Sequence, residues 1–98
     1  VITNGTAATL TAALDAGNPV IAWGYIGKGR SLRWRTLGGE EVRAVNGEHT
    51  RVVVGYTGSG DAPEGFHVLD PIYGRQFWPR DRFMVNWTAL GRTAVIVL

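Results

Sequence analysis

Cysteine is absent from this chain of 98 residues. Without a thiol, these residues cannot form a disulfide, a thiolate metal site or a thiolate nucleophile. Long apolar runs are also absent, since no stretch reaches the roughly eighteen residues that a membrane-spanning helix needs. Serine is scarce: Ser31 and Ser59 are the only two, and neither lies in the Gly-x-Ser-x-Gly pattern of a hydrolase nucleophile. The chain on its own therefore lacks an obvious nucleophile.

Neither the basic nor the acidic residues cluster in one part of the chain. The net charge is +2, from ten basic and eight acidic residues, and the basic residues are scattered. Nucleic-acid binding normally needs a clustered basic face, so this composition argues against it. With 45% hydrophobic and 18% charged residues, the chain is typical of one small globular domain or part of one. No secretory signal is visible and no methionine starts the chain, which favours a segment of a longer protein.

Apolar periodicity and turn residues predict an α+β fold with two helices and a mostly antiparallel sheet of about six strands. Helices are expected at residues 6–16 and 79–90, and strands at 19–26, 31–37, 41–45, 49–57, 66–70 and 93–98, with a further short strand at 75–78. Residues 27–30 and Asn46-Gly47 are predicted hairpin turns. The first is not followed by the helix start that a phosphate-binding loop needs. No internal repeat divides the chain.

A histidine and an aspartate lie on two strands that read as one hairpin. His49 opens a β-branched run, and Asp70 closes the next apolar run, just before Pro71. If the turn were centred between Ser59 and Gly60, His49 and Asp70 would lie directly opposite each other on one face of the sheet. A carboxylate that accepts a hydrogen bond from one imidazole nitrogen leaves the other nitrogen free to take a proton from a nucleophile. The pattern therefore predicts the general-base half of a catalytic triad.

Each of these residues also has a structural interpretation. A lone histidine at a strand end is commonly bonded to backbone, and Asp-Pro is a common way for a chain to leave a strand. A metal site with His67 is unattractive, because His67 is spaced oddly from Asp70 and no third ligand follows at a helpful spacing. No cofactor is expected. Four tryptophans are spread over different elements, which favours core packing over a carbohydrate platform: Trp23, Trp34, Trp78 and Trp87.

The order of several segments resembles the C-terminal half of a known enzyme family. The segments are GNPVIAW, GEHTRVVVGY, FHVLDPIYG and FMVNWTALGRTAVIV. Together they are similar to cysteine peptidases related to the bacteriocin-leader (double-glycine) peptidases of the papain superfamily. The resemblance implies a papain-like half-domain over residues 1–98, with His49 as catalytic base and Asp70 as its orienting partner. It also implies a bacterial protein that is extracellular or associated with the cell envelope.

The family's nucleophilic cysteine and the glutamine before it have no counterpart in this chain. The resemblance therefore implies that an N-terminal segment of the same protein supplies the cysteine, and that this chain alone is inactive. We expect that segment to cover a sheet face that the half-domain leaves exposed. Tyr56, Trp78 and Trp87 are candidates for packing near the site.

Three functions fit the sequence. The first is a cysteine peptidase that acts on a peptide or protein substrate, with this chain supplying the histidine and the aspartate. The second is a degenerate, non-catalytic module that holds a peptide without cutting it. The third is a transferase with the same triad, which differs from the peptidase only in the acceptor of the acyl group.

Overall fold

The computed structural model describes residues 1–27, 31–45 and 47–98. Within these ranges the helices are α1 (Ala7–Asp15) and α2 (Arg80–Thr88), and the strands are β1 (Val20–Tyr25), β2 (Ser31–Arg35), β3 (Glu41–Val45), β4 (Glu48–Gly58), β5 (Pro63–Asp70), β6 (Gly74–Pro79) and β7 (Ala94–Ile96). Residues 28–30 of the predicted turn at 27–30, and Asn46 of the second predicted turn, lie outside the described residues. No helix in the described part of the chain is long and apolar enough to cross a membrane.

The strands form two separate sheets, which confirms the predicted α+β class. Five strands make one sheet in the order β6-β5-β4-β1-β7, and all of its pairings are antiparallel. β2 and β3 form a two-stranded sheet that lies in the chain between β1 and β4. The described residues thus hold seven strands, where the sequence predicted about six. β7 is also shorter than predicted: it ends at Ile96, and beyond it the amide of Val97 donates to the backbone oxygen of Pro19, just before β1.

The register between β4 and β5 differs from the prediction. Gly58 pairs with Pro63, so the loop occupies residues 59–62 and its centre lies one residue later than expected. The amide of Ala62 closes this loop by donating to the backbone oxygen and the side chain of Ser59. Irregular pairing at Thr57/Gly58 and at Val53/Gly55 offsets itself, so the register at the end of β5 that carries Asp70, where Val52 pairs with Leu69, is shifted by two residues from the prediction. An even shift keeps each side chain on its original face, so the predicted shared face of His49 and Asp70 survives the error.

Both helices pack on one face of the five-stranded sheet. Thr6 caps α1, because its side chain and that of Thr9 each accept a hydrogen bond from the other's backbone amide. In α2, Phe83 and Trp87 point into the core, and the helix ends at Thr88, two residues before the predicted end at residue 90. The buried apolar side chains form one cluster: Leu10, Ala13, Val20, Ala22, Val53, Phe66, Val68, Trp78, Phe83, Trp87 and Ala94.

The opposite face of the sheet is apolar and partly open to solvent. Val54, Leu69 and Phe77 expose 41%, 40% and 45% of their surface on it. Neither described helix packs over these residues. An exposed apolar sheet face is typical of a surface that another part of a protein covers.

The core cluster predicts a contrast between two phenylalanines on neighbouring strands. Phe66 is fully buried, and its ring lies 4.9 Å from that of Phe83, whereas Phe77 is half-exposed. Phe66→Ala should lower the free energy of unfolding by about 3–5 kcal/mol, because it leaves a cavity in the core. Phe77→Ala should cost about 1 kcal/mol or less. Urea denaturation of the two variants measures the contrast, and equal losses would show that the core lies elsewhere.

Candidate active site

His49 lies at the start of β4, beside Gly24 of β1. Its Nε2 atom lies 2.9 Å from Oδ2 of Asp70, the last residue of β5. The side chain of His49 exposes 9% of its surface and that of Asp70 exposes none. The contact predicted from the sequence is therefore present, although the two residues are not directly opposite. Continuing the observed register places Arg51, two residues along β4, opposite Asp70.

The carboxylate of Asp70 is held at both oxygens. Oδ1 accepts hydrogen bonds from the backbone amides of Ile72, at 2.8 Å, and Tyr73, at 3.0 Å. Burial raises the pKa of Asp70, but the two amides and His49 together overcome that effect and lower the pKa to about 2. Asp70 is therefore ionised at neutral pH and can only accept hydrogen bonds.

The negative charge of Asp70 determines which nitrogen of the His49 ring carries the hydrogen. Because an ionised carboxylate can only accept, Nε2 of His49 carries the hydrogen and donates it to Oδ2 of Asp70. In the neutral ring, Nδ1 then carries the lone pair. Nδ1 makes no hydrogen bond with the residues that the structure describes. The geometry leaves one ring nitrogen able to take a proton from a group placed beside it.

Arg51 shares the carboxylate with His49, and the sequence analysis missed it. Its Nε atom donates to the same Oδ2 of Asp70, at 3.1 Å. Nη1 donates to Oδ1 of Asn86 and Nη2 to the backbone oxygen of Tyr25, each at 3.1 Å. The guanidinium carbon also lies 4.5 Å from the centre of the Trp78 ring, within the range of a cation–π contact.

Arg51 keeps its positive charge in these surroundings. Burial lowers the pKa of Arg51, while Asp70 acts in the opposite direction. An arginine starts from so high a pKa that it stays protonated at neutral pH. The site therefore contains a buried pair of permanent opposite charges, with His49 bonded to its anion.

Asn86 of α2 connects the site to the edge of β1. Its side-chain oxygen accepts from the backbone amide of Tyr25, and its side-chain nitrogen donates to the backbone oxygen of Tyr25, both at 3.0 Å. β7 pairs with β1 only as far as Ala22. Beyond that point the side-chain amide of Asn86 takes the place of a neighbouring strand, because it bonds to both backbone polar groups of Tyr25. A Cβ atom on Gly24 would collide with this side chain. The glycine therefore allows α2 to approach the strand that lies beside His49.

The other residues singled out from the sequence lie in different places. Trp78 packs on Arg51, as expected of a residue near the site, whereas Trp87 belongs to the core and donates to the backbone oxygen of Thr93. Tyr56 bonds to Asp15 of α1 and lies seven residues along β4 from His49, roughly 23 Å away. His67 contacts Thr57 and Phe77.

A metal centre has no support in the described part of the chain. No group of three histidine, aspartate or glutamate side chains there could hold a metal ion. His67 lies on the other face of the sheet, where its Nε2 is 2.8 Å from the hydroxyl of Thr57. Its ring is therefore separated by the sheet from the pair formed by His49 and Asp70.

A cleft of about 630 Å³ opens beside the buried network. It lies between the end of β1, the turn after β5 and the first turns of α2, and Arg51, Trp78 and Asn86 form part of its wall. A second arginine, Arg82, stacks on Trp78 with its guanidinium carbon 4.3 Å from the ring centre. The volume is in the range of clefts that hold small ligands or side chains.

Comparison with known proteins identifies the family. The model of the Peptidase_C39-like family matches residues 2–95. The chain belongs to this family. Among solved structures, the chain is similar to a candidate C39-like peptidase from Bacillus anthracis, with a TM-score of 0.78 and 23% sequence identity. At that identity, the likeness shows the shared fold.

The chain corresponds to about half of that structural relative. The match covers 98% of this chain and 48% of the relative. No curated protein matches the chain. The family match and the structural likeness together make this chain a peptidase-like domain of the C39-like family, in agreement with the resemblance drawn from its sequence.

The low pKa of Asp70 predicts how stability depends on acid. The pKa is about 2 in the folded chain and near 3.8 in an unstructured one. Because the folded value is the lower one, the ionised carboxylate stabilises the fold fully above about pH 4. This contribution is lost as the pH falls towards 2. The free energy of unfolding should therefore decrease steeply in that window.

Asp70→Asn isolates this effect. The variant should be less stable than wild type at pH 6, by roughly 3–5 kcal/mol, because Arg51 loses its buried partner. The difference should shrink as the pH falls from 4 to 2. Asp81→Asn is the control, since that side chain is 96% exposed, and should leave the pH dependence unchanged. Urea denaturation at several pH values measures all three proteins. A constant gap between wild type and Asp70→Asn would contradict the assignment.

Proposed function

We propose that this domain supplies the general base and its orienting carboxylate to a cysteine peptidase. The hydrogen bond of 2.9 Å between His49 Nε2 and Asp70 Oδ2 carries the proposal, because it leaves Nδ1 free to act on a thiol. Membership in the Peptidase_C39-like family supports this chemistry over other uses of a histidine–aspartate pair. The substrate would be a peptide or a protein.

The reaction would proceed through an acyl-enzyme. Nδ1 of His49 takes the proton of the cysteine thiol, and Asp70 stabilises the imidazolium that forms. The thiolate then attacks the carbonyl carbon of the scissile peptide bond. As the carbon–nitrogen bond breaks, Nδ1 returns its proton to the leaving amine. In the second half, Nδ1 takes a proton from water, the hydroxide attacks the thioester, and the proton returns to the thiolate as the carboxylic acid product leaves.

The cysteine would come from an N-terminal segment of the same protein. The absence of cysteine from these residues requires an outside source, and the structural relative is about twice as long as this chain. The exposed apolar face around Val54, Leu69 and Phe77 offers a surface on which such a segment would pack. In this proposal the nucleophile lies in the N-terminal segment and the base in this chain.

A non-catalytic, peptide-binding role is the second candidate. The cleft of about 630 Å³ beside Arg51 favours it, because such a cleft can hold a peptide side chain without any nucleophile. The same fold would then bind a leader or partner segment and release it uncut. A transferase reaction would share every step of the peptidase up to the acyl-enzyme.

His49→Ala tests the proposal in the full-length protein. Turnover of a fluorogenic peptide panel or of labelled casein should fall by about a thousandfold in kcat/KM, because the thiol loses its base. Asp61→Ala is the control: its exposed side chain lies in the loop between β4 and β5, at the far end of the hairpin from His49, and the variant should keep activity within about twofold.

Two outcomes would contradict the peptidase. Activity of His49→Ala within tenfold of wild type would show that His49 is not the base. A full-length protein that cleaves nothing in the panel, and that no thiol alkylator labels, would favour the binding module instead.

A further inference from the structure

Arg51 is a buried charge that the peptidase reaction does not use. Its side chain is 6% exposed. All three of its nitrogens donate hydrogen bonds, to Asp70, Asn86 and the backbone of Tyr25, and its flat face rests on Trp78. These partners come from β5, α2, β1 and β6, so four elements fix the guanidinium in place. Such rigid placement is expected of a group that positions a neighbour.

The two amides and His49 lower the pKa of Asp70, and Arg51 adds a fixed positive charge in contact with the same carboxylate. The carboxylate is fully buried, and a buried carboxylate without a counter-charge tends to take up a proton. A neutral His49 donates a hydrogen bond but brings no positive charge. During the proposed reaction His49 alternates between neutral and positive, so it cannot balance Asp70 throughout. Arg51 is positive at every step.

We propose that Arg51 is a positioning residue, whose permanent charge keeps Asp70 ionised and aimed at His49 while the imidazole gains and loses its proton. The inference rests on the proposed peptidase function. Arg51 and His49 bond to the same oxygen of Asp70, while two backbone amides hold the other oxygen. The carboxylate therefore cannot rotate without breaking bonds at both ends. As a result, His49 keeps its Nε2–H form and presents Nδ1 to the thiol.

Other ionisable side chains near Arg51 and Asp70 come from the first turns of α2 and from the turn after β5. Arg82, in the first turns of α2, stacks on the same tryptophan as Arg51 and adds positive charge. Asp81 lies beside it at the cleft and pairs weakly with Arg80, at 3.7 Å. Tyr73 follows Asp70 in the turn, and its backbone amide donates to Oδ1 of that carboxylate. Among the described arginines, Arg51 is the one whose side chain contacts the carboxylate of Asp70.

Arg51→Gln and Arg51→Lys in the full-length protein test this role. Nitrogen NMR of His49 at pH 7 reports which ring nitrogen carries the hydrogen, and steady-state kinetics separates kcat from KM. For Arg51→Gln we expect the Nε2–H form to lose its dominance and kcat to fall about 10–100-fold, because the base is misplaced. KM should stay within about threefold. Arg51→Lys, which keeps the charge, should recover most of both readouts. Arg33→Gln, at an exposed arginine of β2 in the separate two-stranded sheet, is the matched control and should match wild type.

The outcomes separate this inference from a purely structural role and from the peptidase proposal itself. A folded Arg51→Gln with wild-type ring protonation and kcat within twofold would overturn the inference. Equal loss of kcat in Gln and Lys variants, with unchanged ring protonation, would also overturn it. If Arg51→Gln does not fold, Arg51→Lys decides: recovery supports the role, and loss of both readouts contradicts it. The NMR result does not depend on turnover, so it stands even if His49→Ala proves active.

Discussion

The structure of this domain depends on one buried carboxylate. Asp70 has no exposed side-chain surface, yet it carries a full negative charge, because described residues donate four hydrogen bonds to it. Two donors are backbone amides in the turn that follows β5, and two are side chains of β4. A charge buried in this way is tolerated only when every lone pair has a donor and a cation lies close. β4, β5 and the turn at Pro71 are placed so that their donors reach the carboxylate of Asp70, and these donors keep it ionised.

The surrounding elements make the network rigid. Asn86 ties α2 to the end of β1 and also bonds to Arg51, while Gly24 leaves room for that approach. Trp78 covers the guanidinium from β6. A helix, a strand edge and an aromatic ring thus hold one cation against one anion, and His49 is bonded to that anion. Acyl transfer is accelerated by groups that are already in place before the substrate arrives, and in the proposed peptidase this arrangement would provide them.

The sequence predicted the helices, the antiparallel strands and the contact between His49 and Asp70. It did not predict the strand register or the contacts of Arg51. Both helices, the antiparallel sheet and the meeting of His49 with Asp70 followed from periodicity, turn residues and family resemblance. The register did not, because loop closure by Ser59 and Ala62 and the irregular pairing between Val53 and Gly55 depend on local geometry. Arg51 had one available signal, its spacing of two from His49, which places both on one face of a strand. Its bond to Asn86, 35 residues away, had none.

The most direct test of this account is a carbon NMR titration of the aspartate side-chain carboxyls, with Asp70 assigned from the Asp70→Asn spectrum. The chain has only four aspartates, so their signals can be resolved one by one. The account predicts that Asp70 remains ionised down to pH 3 and titrates near 2, below an ordinary aspartate. Titration of Asp70 at pH 4 or above would contradict it, because the carboxylate would then lack the donors and the cation on which the site depends.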